Sequence, residues 1–327
     1  MIETVRDLFR GARRDGRPSS CGAPDACLDE IIDNLAQIVS PRILTMRGYR
    51  KRLREPVRQA VSYFRRASEA LPGPLALAHE RWRADPALAA CFGSPERLDA
   101  FIHGDPALRR FADRARNGSA FFLLTMTRCE PRAGGGGPAC EAGRKSAPQG
   151  AWGFVNHRAL AVTASLAETR RSLVRAGLER LAAMAAAQII ETHKKIEEQE
   201  RVRAALKHEL KLLRLEGRGL GKAFVDQEDL RRRLDKGERA MRELASDLAQ
   251  LRSEFVELDD YLEFAAHVFE APSECIAFRS VPLAAGSADT GSASDRLAEL
   301  VEIRLPDKTR VAILAECAAA DILAGRA

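Results

Sequence analysis

Long apolar runs are absent from this chain of 327 residues. The longest, Leu181 to Ile190, is mostly alanine and contains Gln188. It falls well short of the roughly 20 residues that a bilayer span requires. Met1 to Pro18 alternates acids and arginines instead of presenting a continuous apolar stretch, so a secretory leader is not expected. A soluble, cytoplasmic protein is the expectation. Cysteine is sparse and poorly spaced for metal or disulfide work. Seven residues, an odd number, scatter over positions 21, 27, 91, 129, 140, 275 and 317, a pattern of reduced thiols. Five residues separate Cys21 from Cys27 and ten separate Cys129 from Cys140, whereas zinc pairs leave roughly two to four. No metal and no cofactor are expected.

Catalytic signatures are equally scarce. The six histidines (79, 103, 157, 193, 208 and 267) stand far apart, and His157, within an expected strand, reads as a structural residue. Neither a Ser-His-Asp arrangement, nor paired carboxylates, nor a zincin motif is present. Gly217-Arg-Gly-Leu-Gly-Lys222-Ala223 resembles a phosphate-binding loop only superficially. Three residues intervene before Gly-Lys where a P-loop has four, alanine replaces Ser or Thr, and a helix precedes it instead of a strand. The reading is of a noncatalytic protein.

What the chain does have is a ladder of apolar residues at alternating steps of four and three: Leu230, Leu234, Gly237, Met241, Leu244, Leu248, Leu251, Phe255, Leu258, Leu262, Ala265 and Phe269. Ten of its twelve rungs are large and apolar, the seam of a left-handed coiled coil. The partner seam is expected on the preceding helix. That helix starts at a capping box, Ser165 and Glu168, and ends near Glu216 at Gly217, Gly219 and Gly221. Stepping back from the glycines gives Leu213, Leu210, Leu206, Ile196, Ile189, Leu181, Leu178 and Val174 at matching intervals. Folding about the turn sets Leu213 against Leu230, Ile196 against Leu248 and Leu181 against Leu262. The result is an antiparallel hairpin about 60 Å long, favoured by the short connection. Thr192, Gln199 and Arg203 intrude on this seam. They leave a parallel homodimer of the second helix as the alternative. At the tip, Arg218, Leu220, Lys222, Phe224 and Val225 are the candidate contacts for a protein partner.

The net charge of +6 concentrates in one segment. Between Arg42 and Arg66 lie nine Lys and Arg against Glu55 alone, a local +8 that leaves −2 for everything else. Arg47, Arg50, Lys51, Arg54, Arg58 and Arg65 recur near helical spacing and mark a cationic stripe beside an apolar one of Met46, Leu53, Val57, Val61 and Phe64. A stripe of this kind attracts phosphate, from nucleic acid or an anionic membrane surface. The competing reading docks it on acidic stretches of the same protein, such as Glu197-Glu198 or Asp259-Asp260.

These features predict an α+β fold: an N-terminal helical module, a small mixed β-sheet module and a long antiparallel coiled-coil hairpin inserted between strands. Residues 1–27 read as a flexible tail and 28–117 as the helical module. Within that module Pro41 and Pro56 each suit a first helical turn and divide the opening stretch into consecutive or kinked helices, and Asp85-Pro86, Ser94-Pro95 and Asp105-Pro106 announce three short helices. Residues 118–164 and 272–327 read as the β-rich module, interrupted by a glycine-rich disordered loop at 129–150, and 165–271 as the hairpin. Function is expected to be that of a scaffold or adaptor using the arm for protein contact and the basic helix for an anionic partner. A nucleic-acid-binding accessory factor acting through Arg42–Arg66 is the alternative. An enzyme hidden in the β module around Cys129, His157 and Cys275 comes third.

Overall fold

The computed structural model of the chain describes residues 24–82, 84–115, 118–129, 153–218, 223, 226–254, 258–284 and 296–324. It is an α+β fold. Helix α1 (Pro24–Val39) is followed by a 3-10 turn, Pro41–Thr45, and by α2 (Tyr49–Glu69). Short strand β1 (Leu75–Ala76) precedes three short helices, α3 (Pro86–Phe92), α4 (Pro95–Gly104) and α5 (Pro106–Arg114). Then come β2 (Ser119–Cys129), β3 (Gly153–Thr163), the long α6 (Leu166–Glu216), α7 (Gln227–Glu254), α8 (Leu258–Glu270) and the single turn α9 (Pro272–Cys275). Strands β4 (Ala277–Ala284), β5 (Arg296–Arg304) and β6 (Thr309–Ala318) and helix α10 (Ala319–Ala324) complete the described chain.

Helix starts follow their caps. Asp85 accepts a bond from the Ala87 amide, Ser94 from Arg97, and Asp105 from Ala107 and Leu108. Ser165 accepts from Glu168 at the start of α6, and Asp226 accepts from Glu228. Each satisfies an amide that the first helical turn leaves without an internal partner. Pro56 departs from expectation, because it lies buried inside α2 instead of starting a helix. A mid-helix proline costs about 3 kcal/mol. Leu53, Val57, Ala60 and Phe64 are all buried along one face of α2, and each large apolar side chain buried contributes about 1.5–3 kcal/mol. That contribution holds the helix together through the proline.

The sheet runs β3-β2-β6-β5-β4, with antiparallel neighbours along this path, and β1 pairs β6 in parallel. Strand β5 is registered with β6 only from Val301 to Arg304, and β1 takes up the flank of β6 farther along, at Ala315 and Glu316. The sheet is therefore mixed, with β3 and β4 as its edges. Strand β3 carries two bulges against β2, at the register shifts between Phe121 and Leu123 and between Thr125 and Thr127. Asn156 and Ala161 sit there with φ of 56° and 55°.

Three cores form. One face of the sheet, with Phe122, Leu124, Met126, Val311 and Ile313, is covered by α3, α4, α5 and α10. The opposite face, with Leu123, Ala312, Leu314 and Val301, meets Leu166 and Leu173 at the start of α6. The third core joins α1 and α2 to the base of the hairpin: Ile32, Leu35, Leu53, Val57 and Phe64 pack with Leu178, Leu181, Ala185, Leu262 and Phe269. The helices of 28–117 thus divide between two cores, α1 and α2 on the hairpin and α3–α5 on the sheet.

Candidate functional site

The hairpin leaves one edge of the sheet at β3 and returns to the other at β4. Its helices are antiparallel. The methyl groups of Leu230 lie where a side chain on Gly217 would stand, and those of Leu210 fill the space beside Gly237. Arg214 pairs with Glu238 at 2.8 Å, Arg252 pairs with Glu200, and His193 Nε2 lies 2.5 Å from the Tyr261 hydroxyl. Along the ladder Leu230 and Leu248 are buried, while Leu234, Met241, Leu244 and Leu251 are half-buried. Leu262 and Phe269 are fully buried, in the third core. Phe255 lies outside the described residues, and Leu258 opens α8. Of the polar intrusions, Thr192 is buried, Arg203 is exposed, and the buried Oε1 of Gln199 has no described partner.

Packing changes along α6. From Lys194 to Glu216 only Leu210 and Leu213 are buried, and neither belongs to the three cores. This distal stretch, about 35 Å of helix at 1.5 Å per residue, has α7 for its partner. At its end Arg218 is exposed. Leu220, Lys222, Phe224 and Val225, the other candidate tip contacts, lie outside the described residues, as does most of the glycine-rich segment 129–150.

The basic helix α2 is occupied largely by partners of its own chain. Arg50 donates to both oxygens of Asp33, at 2.8 and 2.6 Å, and the Tyr49 hydroxyl donates to the same carboxylate at 2.6 Å. The Arg50 guanidinium holds Asp33 below its ordinary pKa against the opposing effect of burial. Arg54 pairs with Asp29 at 2.6 Å, Arg58 with Glu55 at 2.5 Å, and Arg52 with Asp259 at 2.9 Å. Docking on the acidic stretch at 259–260 is therefore present. Arg47, Lys51 and Arg65 are exposed and pair with no described carboxylate. Arg65 lines a cleft of about 880 Å³ where α1, α2 and α6 meet. There Arg65, Arg170, Arg171 and Arg175 face Glu30, Glu69 and Glu179, and Arg175 is bound to Glu179 at 2.8 Å.

The remaining chemistry-bearing groups are embedded. His157 stacks on Phe92 with centroids 4.6 Å apart. Its Nε2 donates to the Cys91 carbonyl at 2.9 Å, and burial keeps its pKa below the ordinary value. The Cys91 and Cys317 thiols are pushed up to about 12 by burial, and burial also raises Cys275. A thiol held protonated is a poor nucleophile. Cys91, Cys275 and Cys317 form no disulfide, and no helix among the described residues is long and apolar enough to cross a membrane.

One charged surface escaped the sequence reading. Residues 201–242 hold thirteen Lys and Arg against seven Asp and Glu, a net +6 equal to that of the whole chain. The −2 left outside Arg42–Arg66 conceals it, because the rest of the protein is acidic. A running charge tally over the arm would have found it; attention to the apolar ladder passed over it. No family model matches the chain, and no curated protein and no solved structure is similar to it.

Proposed function

We propose that the protein is a noncatalytic cytoplasmic adaptor whose helical hairpin is its recruiting element. The observation that carries this reading is the division of labour along α6. Its first half is committed to the sheet and to the bundle with α1 and α2, whereas its distal half belongs to none of the three cores. The distal half of α6 and the α7 helix that pairs with it supply no residue to any of the three cores. A surface that a fold maintains without needing it for stability is best explained by a partner. Free cysteines agree with a reducing compartment. The buried, protonated thiols and the hydrogen-bonded His157 fit structural roles better than catalytic ones.

The test replaces residues 201–247 with a four-residue Gly-Ser linker, joining Glu200 to Leu248. The shortened chain is expected to keep its far-ultraviolet spectrum per helical residue and its unfolding midpoint within a few degrees. It is also expected to lose the partners that co-purify with the intact chain. Retention of the same partners by both forms would refute the proposal.

A further inference from the structure

The charges of the distal arm are segregated, not scattered. Successive helical residues turn by 100°, which places Arg203, Lys207, Lys211 and Arg214 of α6 within one 80° arc on a flank of the seam. The pairs Arg214–Glu238 and Arg252–Glu200 identify the flank of α7 that adjoins it. Arg231 and Arg242 project on that side of α7. Arg203, Lys207, Lys211, Arg231 and Arg242 are all exposed. None of the five pairs with a described carboxylate; Arg242 makes only a bond to the Glu238 carbonyl. Of the two acids on this side, Glu238 is held by Arg214 and the exposed Asp235 stands at the outer margin of the flank, against the five cations. Acids collect on the opposite flank, where Glu209 and Glu216 of α6 and Asp229 and Asp247 of α7 are exposed.

We infer that this cationic flank binds the phosphate backbone of duplex nucleic acid without regard to sequence. The five cations span about 17 Å along α7 and one interhelical spacing of about 8–10 Å across. That footprint is about five base pairs at 3.4 Å each. Two paired helices offer a regularly spaced row of point charges, which suits a duplex. Single strands are held by stacking on aromatic side chains, and the stretch 201–242 contains one aromatic ring, Phe224. Membrane attachment by a surface helix needs a continuous row of large apolar side chains beside the cations; of the exposed ones on distal α6, Val202 and Leu212 project away from this flank and Leu215 stands alone at its margin. The α2 stripe is the weaker competitor, since Arg50, Arg52, Arg54 and Arg58 already answer carboxylates of the chain. Nine of the described cations of residues 201–242, including Arg218, Arg233, Lys236 and Arg239, pair with no described carboxylate.

The inference rests on the arm as recruiting element and names the chemistry of its partner. The experiment measures fluorescence anisotropy of a labelled mixed-sequence DNA duplex titrated with the full chain from 50 to 200 mM salt. Neutralising five phosphates predicts a log–log slope of about −4.5 and a loss of affinity of about 500-fold over that range. The triple variant Arg203→Gln, Lys207→Gln, Lys211→Gln keeps good helix formers on an exposed face, so its helicity is expected to match that of the parent. Its slope is expected to be shallower by about 2.7. The variant Arg47→Gln, Lys51→Gln, Arg65→Gln is expected to bind like the parent. Loss of binding in the α2 variant with the arm variant unaffected would overturn the inference. So would the absence of duplex binding at 50 mM salt, or binding confined to phosphatidylserine vesicles. If the chain shortened at 201–247 still bound duplex, the present inference would fall, whereas the arm would fall as the recruiting element only if that chain also kept the partners that co-purify with the intact one. If the intact chain bound no duplex yet lost its other partners with the arm, only the present inference would fall.

Discussion

Docking of α2 on the base of the arm turns on one close approach. A β-carbon built on Gly177 of α6 would stand 2.6, 2.8 and 2.9 Å from the Cδ1, Cε1 and Cγ atoms of Phe64. Carbon atoms pack best at about 3.5–4.0 Å, so Gly177→Ala must push the ring back by about 1 Å. Phe64 has little room to retreat. It is 3% exposed, meets Tyr63 edge-on at 5.3 Å and Phe278 edge-on at 6.2 Å, and its ring does not flex. Overpacking of this kind costs about 1–3 kcal/mol. Replacing a mid-helix glycine by alanine returns about 1 kcal/mol. The net expectation is destabilisation of about 1 kcal/mol in the parent chain. Phe64→Ala alone should cost about 3–5 kcal/mol through the cavity it leaves. In that background the clash is gone and only the helix gain remains, so Gly177→Ala should then stabilise by up to about 1 kcal/mol. The four proteins of this cycle can be compared by urea unfolding followed by circular dichroism. A reversal of sign between backgrounds is the predicted result. Gly177→Ala acting equally in both would mean that α2 does not seat Phe64 on α6.

Two further substitutions probe the sheet. Ala161 occupies the left-handed region at φ 55° in a bulge of β3. An L-residue pays about 1–2 kcal/mol there, which exceeds the unfolded-state entropy that glycine would add. Ala161→Gly should therefore stabilise by about 0.5–1 kcal/mol, read as a higher urea midpoint, whereas a lower midpoint would place the bulge elsewhere. The His157 imidazole has its pKa lowered by burial from an unfolded value of 6.5. The unfolded chain accordingly binds more protons just below pH 6.5, and stability falls as pH drops from there through the lower folded value. His157→Gln, which keeps a donor for the Cys91 carbonyl, should flatten that part of the stability profile. An unchanged slope would assign the proton uptake to another group.

Local chemistry made much of the architecture legible in the sequence. Caps followed by proline marked α3, α4 and α5, and the Ser165–Glu168 box and the glycines after Glu216 bounded α6 to the residue. In the sequence Val301, Ile303 and Leu305 alternate with Glu302 and Arg304 and Pro306-Asp307-Lys308 turns the chain, a hairpin pattern that the β5–β6 pairing bears out. What escaped depends on tertiary contacts. Asp259, which answers Arg52, belongs to an acidic stretch that the sequence itself offers as a dock, whereas Asp33 and Asp29 on α1, which answer Arg50 and Arg54, were not legible there. Nothing in the stripe itself announces such partners. Strand β1, two residues long, owes its existence to the flank of β6 that β5 leaves open. The α10 turn at Ala319–Ala324 is held by packing of Ala319 and Ile322 in the first core, not by periodicity. Pro56 shows the same override, since a continuous apolar face keeps α2 helical past a residue that local rules assign to a helix start.

The chain builds its own arm, with α6 and α7 paired inside one molecule. Equal amounts of isotopically light and heavy protein, unfolded and refolded together and then treated with a lysine-reactive crosslinker, test it directly. Lys211 on α6 and Lys236 on α7 each lie one residue from Leu210 and Gly237, which pack together, so their backbones are within reach of such a crosslinker. Crosslinks between Lys211 and Lys236 that are always light with light or heavy with heavy are the predicted result. Light–heavy Lys211–Lys236 pairs, or abundant light–heavy links between two copies of Lys236, would mean that the ladder pairs between chains.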